Sequence, residues 1–256
     1  MEAEPLELFP IRIRTVKAAD NLVEIILDSM KTAKLSFRDN DILALTSKVV
    51  SYSEGRVVKL SDVKPSEKGR RLAAKYALEP EFAELISREA ERICGGVKKA
   101  VLTLKHGILI ANAGIDNKNA PAGGAVLWPS DPEKTVGEIR EQIRCKTGKN
   151  VAVMMIDSGL IPLRIGTIGL AIAVAGFKPI RDDRGQRDIF GRKIQITRQA
   201  VADDLACAAH LMMGESTQKT PAVLIRDAPV DFDDRVHGSK EMMMPFKECI
   251  FMNTTK

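Results

Sequence analysis

The chain has 256 residues, of which 45% are hydrophobic and 29% are charged, a composition typical of one large globular domain or two small ones. Its net charge is only +5 and no basic run is interleaved with aromatic residues, which argues against nucleic-acid binding. The four cysteines form no C-x-x-C pair, so a zinc site is not expected, and free thiols in a reducing compartment are the simpler interpretation.

The N-terminal sequence and the hydropathy pattern predict a cytoplasmic protein. The first ten residues, MEAEPLELFP, are acidic where a signal peptide would be basic. No apolar run reaches the length of a membrane span, so we expect no membrane partner.

The N-terminal part of the chain predicts strands and amphipathic helices. In chain order these are a strand over Leu6–Val16, a helix over Asn21–Met30, a strand over Asp41–Val50, and helices over Glu67–Tyr76 and Glu81–Ile93. The last two helices lie in a polar, Lys-rich insert, residues 58–98, which is a candidate helical subdomain within a single unit spanning 1–256.

The rest of the chain predicts more strands than helices. In chain order we expect strands over Ala100–Leu104 and Ile108–Ala111, an irregular loop over Asn112–Gly124, a helix from Asp131 to about Cys145, buried strands over 151–156 and 167–175, a helix over Thr197–Met213 and a strand over Pro221–Ile225. The pattern predicts an α+β fold with mixed sheets and packed helices.

The buried strand over 151–156 ends in two polar residues, Asp157 and Ser158. A carboxylate at the end of such a strand is costly to desolvate unless a cation or hydrogen-bond donors compensate it. Two interpretations stay open. Asp157 belongs to a functional site, or it only caps a turn and pairs with Arg164 in the following loop.

Three carboxylates each follow the end of an apolar element: Asp116, Asp157 and Glu215. If the fold brings them together, they form a cluster of hard oxygen ligands suited to Mg²⁺ or Mn²⁺. We therefore predict that their carboxyl groups converge closely enough to share one or two ions, within a few ångströms of one another or of a common water.

Phosphate binding is a second possibility near these residues. Ser47, Lys48, Asn119 and the amides of glycine-rich loops are candidates for holding phosphate oxygens, although neither a Walker sequence nor a G-x-G-x-x-G motif is present. The three histidines are scattered, and we interpret His210, within the long predicted helix, as a packed or surface residue rather than a ligand.

Several short stretches, taken together and in order, carry a family resemblance. They are NAGID at Asn112–Asp116 with Asn119, the Asp157–Ser158 strand end, Arg164 with Gly166, RDIFGR at 187–192, VADD at 201–204, MGE at 213–215 and PAVLIR at 221–226. From about Leu6 to Asp227 they resemble the γ-glutamyl ligase of deazaflavin coenzyme F-420 biosynthesis.

The resemblance implies an intertwined homodimer that uses GTP and a divalent metal, Mg²⁺ or Mn²⁺. Such an enzyme adds L-glutamate to a deazaflavin acceptor through an acyl phosphate. Carried over by position, the implied metal ligands are Asp116, Asp157, Ser158 and Glu215, with Asp116 and Asp157 at the catalytic centre. The implied nucleotide contacts are Ser47, Lys48, Asn119, Met213 and Gly214.

The chain also departs from the family pattern. Tyr52 stands where the family has a lysine, Ile161 where it has an arginine, and Ile11–Val16 where it has a G-x-P loop. Because two phosphate-directed charges are missing, a second hypothesis is a catalytically altered or inactive homologue that binds a nucleotide or a deazaflavin. Under the first hypothesis, we predict that Arg12 or Arg14 replaces part of the phosphate contact.

Overall fold

The structure is a computed structural model that describes residues 4–118 and 120–253. Its strands are β1 (Glu7–Ile11), β2 (Ile42–Thr46), β3 (Val57–Lys59), β4 (Arg92–Val97), β5 (Ala100–Lys105), β6 (Ile108–Ala111), β7 (Gly124–Val126), β8 (Ala152–Gly159), β9 (Ile168–Phe177), β10 (Arg181–Asp182), β11 (Arg198–Gln199), β12 (Ala222–Arg226) and β13 (Phe232–His237). Its helices are α1 (Leu22–Thr32), α2 (Ser47–Ser53), α3 (Glu67–Tyr76), α4 (Pro80–Glu89), α5 (Pro132–Thr147), α6 (Val201–Met213), α7 (Ser239–Met242) and α8 (Ile250–Asn253).

The largest sheet has six described strands in the order β1-β12-β2-β8-β9-β13. Strands β2 and β8 are parallel, and the other neighbouring pairs in this sheet are antiparallel. Since β1, β2 and β8 therefore run in the same direction, their carboxyl ends lie at one edge of the sheet, which we call the carboxyl edge.

Both faces of this sheet are covered by helices. On β8, Val153 and Met155 join the core under α1 and α5, whereas Met154 and Ile156 join the core under α6. Side chains on a strand alternate between its two faces, and here both faces are apolar, which explains the unbroken hydrophobic run in the sequence. The prediction of buried strands over 151–156 and 167–175 is confirmed by β8 and β9, which also pair with each other.

A third core lies beside the six-stranded sheet. It contains side chains of α3, α4 and β5, and extends from Val63 to Leu127. The three-stranded sheet β4-β5-β6 and the pair β3-β7 belong to this part of the chain. This core thus continues beyond the predicted insert 58–98. That the chain is a single unit containing a helical subdomain stays a prediction.

The mixed sheets and packed helices confirm the α+β class, but several predicted elements differ. The strand predicted to reach Val50 ends at Thr46, whose hydroxyl accepts a hydrogen bond from the Val49 amide at 3.4 Å and caps α2. The helix predicted to reach Ile93 ends at Glu89, and Ile93 lies in β4. The polar strand β13 was not predicted, since its sequence has little apolar alternation.

None of the described helices has the length and apolar character needed to span a bilayer.

Helix α6 packs unusually close to β9 at one glycine. A Cβ atom on Gly169 would overlap the carbonyl oxygen of Ala206. Two residues along the strand, the amide of Ala171 donates to Asp203 Oδ1 at 2.9 Å. Because Gly169 pairs with Ser158 on β8, this close approach brings the C-terminal turn of α6 over the carboxyl edge.

Gly169→Ala should destabilise the protein by about 1–3 kcal/mol, because the added methyl group meets backbone rather than a movable side chain. Urea unfolding followed by far-ultraviolet circular dichroism measures the change. Gly159→Ala is the matched control, because its Cβ would meet only the Leu170 side chain, at 3.1 Å, which can move. Equal stability losses in the two variants would contradict the close packing of α6 on β9.

Candidate functional site

Six of the predicted site residues, Ser47, Lys48, Asp116, Asp157, Ser158 and Glu215, lie at the carboxyl edge in two clusters. Asp157 follows Val153 and Met155 on the α5 side of β8, and Ser158 follows Ile156 on the α6 side. The Lys48 cluster consists of Ser47, Lys48, Asp116, Trp128 and Asp157. The His210 cluster consists of Ser158, Thr167, His210 and Glu215.

Lys48 connects two distant parts of the chain. From the first turn of α2, its ammonium group donates to Asp116 Oδ2 and, at 3.4 Å, to the carbonyl oxygen of Lys118. The other carboxylate oxygen of Asp116 accepts a hydrogen bond from the Lys118 amide at 2.7 Å. The backbone of Asp116 also bonds to that of Val126 in both directions. Asp116 is therefore fixed in place, with a cation against its carboxylate.

Asp157 is surrounded by hydrogen-bond donors. Its Oδ2 accepts from the Trp128 indole nitrogen, and its Oδ1 accepts from the Ser158 amide at 2.8 Å. Burial raises the pKa of Asp157, although the bonds from Trp128, Ser158 and Ser47 and the charge of Lys48 oppose that increase. Asp157 is therefore part of the Lys48 cluster, and its carboxylate bonds to Trp128 and Ser158 rather than to Arg164.

Trp128 is held against the NAGID loop. Its side chain is only 1% exposed, and a Cβ atom on Gly114 would overlap the indole nitrogen. Gly114 has a φ of +71°, which other residues rarely adopt. On the same ring, the His106 imidazole stacks at 6.4 Å between centroids and the Lys105 ammonium lies 5.9 Å from the centroid. The glycine of NAGID thus makes room for the tryptophan that binds Asp157.

The His210 cluster is centred on one carboxylate oxygen. Glu215 Oε1 accepts hydrogen bonds from Ser158 Oγ at 2.7 Å and Thr167 Oγ1 at 2.8 Å, and lies 2.7 Å from His210 Nε2. His210 Nε2 is also 3.3 Å from Ser158 Oγ. Burial alone would raise the pKa of Glu215, but the bonds from Ser158, Thr167 and His210 outweigh burial and lower it. Glu215 is therefore held ionised.

The predicted convergence of three carboxylates on one point is wrong. Asp116 and Asp157 lie in the Lys48 cluster, whereas Glu215 lies in the His210 cluster. Among residues 4–118 and 120–253, no three His, Cys, Asp or Glu side chains form a group that could hold a metal ion. The physical reason is the alternation along β8, which directs Asp157 and Ser158 to opposite faces. The metal roles of these residues stay predictions.

The described residues among the predicted nucleotide contacts lie at the start of α2 and at the end of α6. Ser47 is buried at the start of α2, next to Lys48. Met213 ends α6 as a buried residue, and Gly214 follows it with a φ of +70°, leading directly to Glu215. Asn119 lies outside the described residues, so its predicted contact with the nucleotide stays a prediction.

One of the departures from the family pattern, Tyr52, lies beside this site. Tyr52, one helical turn after Lys48, is half-buried; burial raises its pKa, and the charges of Lys48 and Asp116 act on its hydroxyl. Both terminal nitrogens of the Arg14 guanidinium donate to the Asp20 carboxylate, Nη1 to Oδ2 at 2.7 Å and Nη2 to Oδ1 at 3.1 Å. Ile161 is 41% exposed. The phosphate roles predicted for Arg12 and Arg14 stay predictions.

Three members of the site were not predicted from the sequence. The sequence pattern gives no role to Trp128, places Thr167 only in an apolar run, and favours a packed or surface position for His210. Helical spacing could have indicated His210: Asp203, Ala206 and His210 recur at the three- and four-residue intervals of one helix face. Only the fold brings Trp128 to Asp157, because 29 positions separate them in sequence.

Comparison with known proteins gives a consistent result. The family model described as F420-0:Gamma-glutamyl ligase matches residues 10–227. The coenzyme F420:L-glutamate ligase of Methanothermobacter thermautotrophicus is 35% identical over 92% of this chain and 94% of its own length. The ligase of the same name from Methanopyrus kandleri is 37% identical over 88% and 86%, and that from Methanocaldococcus jannaschii is 33% identical over 98% and 99%.

A double-mutant cycle on Trp128→Phe and Asp157→Ala should give a coupling energy of about 1.5–3 kcal/mol, the range for a hydrogen bond to a charged group. The free energy of unfolding of the four proteins, from urea denaturation followed by circular dichroism, measures it. Trp128→Phe paired with Glu215→Ala is the control cycle, because these residues belong to separate clusters. Additive effects of Trp128→Phe and Asp157→Ala would contradict the bond.

Proposed function

Because the chain belongs to the F420-0:Gamma-glutamyl ligase family, we propose that it joins L-glutamate in amide linkage to a deazaflavin coenzyme F-420 precursor, using GTP. The observation that carries the proposal is the arrangement of the Lys48 cluster, in which one ammonium group binds Asp116 and acts on Asp157 at the carboxyl edge. Such an edge, where parallel strands end, is a common place for ligands in sheets covered on both faces.

The residues present fit a hard divalent cation. Asp116, Asp157 and Glu215 supply carboxylate oxygens and Ser158 supplies a hydroxyl oxygen, which are the ligands that Mg²⁺ and Mn²⁺ prefer. The Lys48 ammonium bound to Asp116 indicates that this position attracts positive charge. Because the two clusters are separate, we propose Asp116 and Asp157 as ligands of one ion and Ser158 and Glu215 as ligands of a second. When bound, the metal would neutralise negative charge on the γ-phosphate and on the attacking carboxylate.

The proposed reaction has two steps. In the first, a carboxylate oxygen of the acceptor bonds to the γ-phosphorus of GTP, the bond from that phosphorus to the bridging oxygen breaks, and GDP leaves. In the second, the amine of L-glutamate bonds to the acyl carbon, the phosphate leaves with the electrons of the acyl C–O bond, and the amine loses its proton to solvent. Lys48 would orient the phosphate and offset its charge as phosphorus moves between oxygens.

Nucleotide recognition is proposed for the α2 start and the α6 end. Ser47 and Lys48 open α2, while Met213 and Gly214 lie where α6 reaches the carboxyl edge, and Asn119 completes the set. The hydroxyl of Tyr52 stands beside Lys48 in place of a second positive charge, so Lys48 bears a larger share of phosphate binding in this chain.

A cytoplasmic location is also proposed. It accords with the free thiols of Cys94, Cys145, Cys207 and Cys249.

Incubating the protein with a deazaflavin acceptor, L-glutamate, Mn²⁺ and GTP should give a product heavier by one or more glutamyl residues, read by mass spectrometry. Lys48→Met should weaken GTP binding about 10–100-fold, as expected for the loss of one charge-assisted hydrogen bond. Lys134→Met, at a position 68% exposed on α5, is the control and should bind GTP normally.

The outcomes of this assay separate the hypotheses. GTP binding without product formation would support a catalytically altered homologue, and repeating the assay with Tyr52→Lys and Ile161→Arg would test whether the missing charges are the cause. Product formation with ATP but not GTP would contradict the proposed nucleotide. No nucleotide binding and no product would contradict the proposed function.

We also propose that the protein is a homodimer whose arm, residues 181–199, packs on the partner. Ile189, Phe190 and Ile196 on this arm are 93%, 76% and 85% exposed in the single chain. Large apolar side chains clustered in one exposed segment are typical of protein interfaces.

Sedimentation velocity at micromolar concentration should give a dimer, and Phe190→Asp should shift it to monomer, because the carboxylate would be buried without a partner in the apolar interface. Val97→Asp is the control, since Val97 is 70% exposed on β4, outside the arm. A wild-type monomer would contradict the dimer, and a dimer unaffected by Phe190→Asp would place the interface elsewhere.

A further inference from the structure

Three side-chain atoms that could each bind a metal ion form a small triangle in the His210 cluster. Ser158 Oγ and Glu215 Oε1 are 2.7 Å apart, His210 Nε2 and Glu215 Oε1 are 2.7 Å apart, and Ser158 Oγ and His210 Nε2 are 3.3 Å apart. The three residues come from β8, from α6 and from the segment after α6. Their convergence on one point therefore requires the folded chain.

The size of this triangle matches the separation of neighbouring ligands around a small divalent ion. An octahedral ion with bonds of about 2.0–2.2 Å places its adjacent ligands roughly 3 Å apart. A side of 3.3 Å between a hydroxyl and an imidazole nitrogen is long for a hydrogen bond but ordinary for two such ligands. The three atoms thus stand where one face of an octahedral site would have them.

The position of His210 is imposed by the packing of α6 rather than by its bond to Glu215 alone. The bond from Ala171 to Asp203 and the close approach of Ala206 to Gly169 fix the helix on β9. His210 follows Ala206 by one helical turn, so its side chain lies on the same face of α6 and points towards β8 and β9. That side chain is 16% exposed. The packing of α6 therefore directs the imidazole towards Ser158 and Glu215.

We propose that His210 supplies a nitrogen ligand, through Nε2, to a divalent ion bound at Ser158 and Glu215. The inference rests on the proposed function only in taking those two residues as metal ligands. Mn²⁺ shares with Mg²⁺ a preference for oxygen ligands, but as a transition metal it accepts an imidazole nitrogen more easily than Mg²⁺ does. The His210 cluster therefore selects Mn²⁺ over Mg²⁺.

The test uses Mn²⁺ alone as the probe. Electron paramagnetic resonance of free Mn²⁺ gives the affinity, and electron spin-echo modulation of the bound ion shows whether nitrogen is coordinated. The wild type should show imidazole nitrogen, and the modulation should change when the protein is made with histidine carrying the heavy nitrogen isotope. That isotopic comparison needs no substitution, so it does not depend on the folding of a variant.

Substitutions then assign the nitrogen to one of the three histidines. His210→Ala should lose the nitrogen modulation and bind Mn²⁺ more weakly, on the order of ten- to a hundredfold. His210→Gln offers an amide oxygen instead, and should lower the ratio of Mn²⁺ to Mg²⁺ affinity about tenfold. His106→Asn and, on the exposed neighbour, Leu211→Ala are the controls and should keep the modulation.

The experiment distinguishes failure of the proposed role of His210 from failure of the proposed metal binding. Mn²⁺ that binds without nitrogen coupling, or with coupling that survives His210→Ala, overturns the role of His210 and leaves oxygen ligation by the proposed residues standing. Absence of Mn²⁺ binding to the wild type at millimolar concentration overturns the role of His210 and the metal part of the proposed function together.

Discussion

The alternation of side chains along β8 is the constraint on which the site depends. Because helices cover both faces of the sheet, every residue from Val151 to Ile156 is apolar and buried, and the first polar residues to follow face opposite sides. Asp157 therefore meets Ser47, Lys48 and Trp128, while Ser158 meets His210 and Glu215. One strand end thus supplies both clusters.

The two clusters differ in which groups stabilise the negative charge of their carboxylates. In the Lys48 cluster a cation lies against Asp116, and burial acts against the charge of Asp157. In the His210 cluster three donors hold the charge of Glu215. Under the proposed function, the Lys48 ammonium would meet an anionic ligand, and the carboxylates of the two clusters would attract cations. This division of charge suits a reaction in which a phosphate and a metal are handled side by side.

The sequence predicted the parts of the fold that depend on local patterns. The N-cap Asp131 and the proline after it begin α5 as expected, and the apolar runs before Asp157 and after Thr167 are neighbouring strands. It failed where a local pattern was ambiguous: Val49 and Val50 suit a strand by composition, yet the Thr46 cap starts a helix. The candidate carboxylates were identified from the ends of apolar elements, but their grouping depends on which face each side chain takes. Trp128 and His210 join the site through contacts distant in sequence, which no local pattern encodes.

The chain contains a single tryptophan, and it is the residue that binds Asp157. Buried between the NAGID loop and the carboxyl edge, its indole senses the charge on Asp157 and on Lys105. The indole fluorescence of the protein, excited selectively at the red edge of its absorption, therefore comes from one defined place. Any ligand that changes the charge or the hydration of Asp157 alters this emission, so the protein carries its own optical reporter of occupancy at the site.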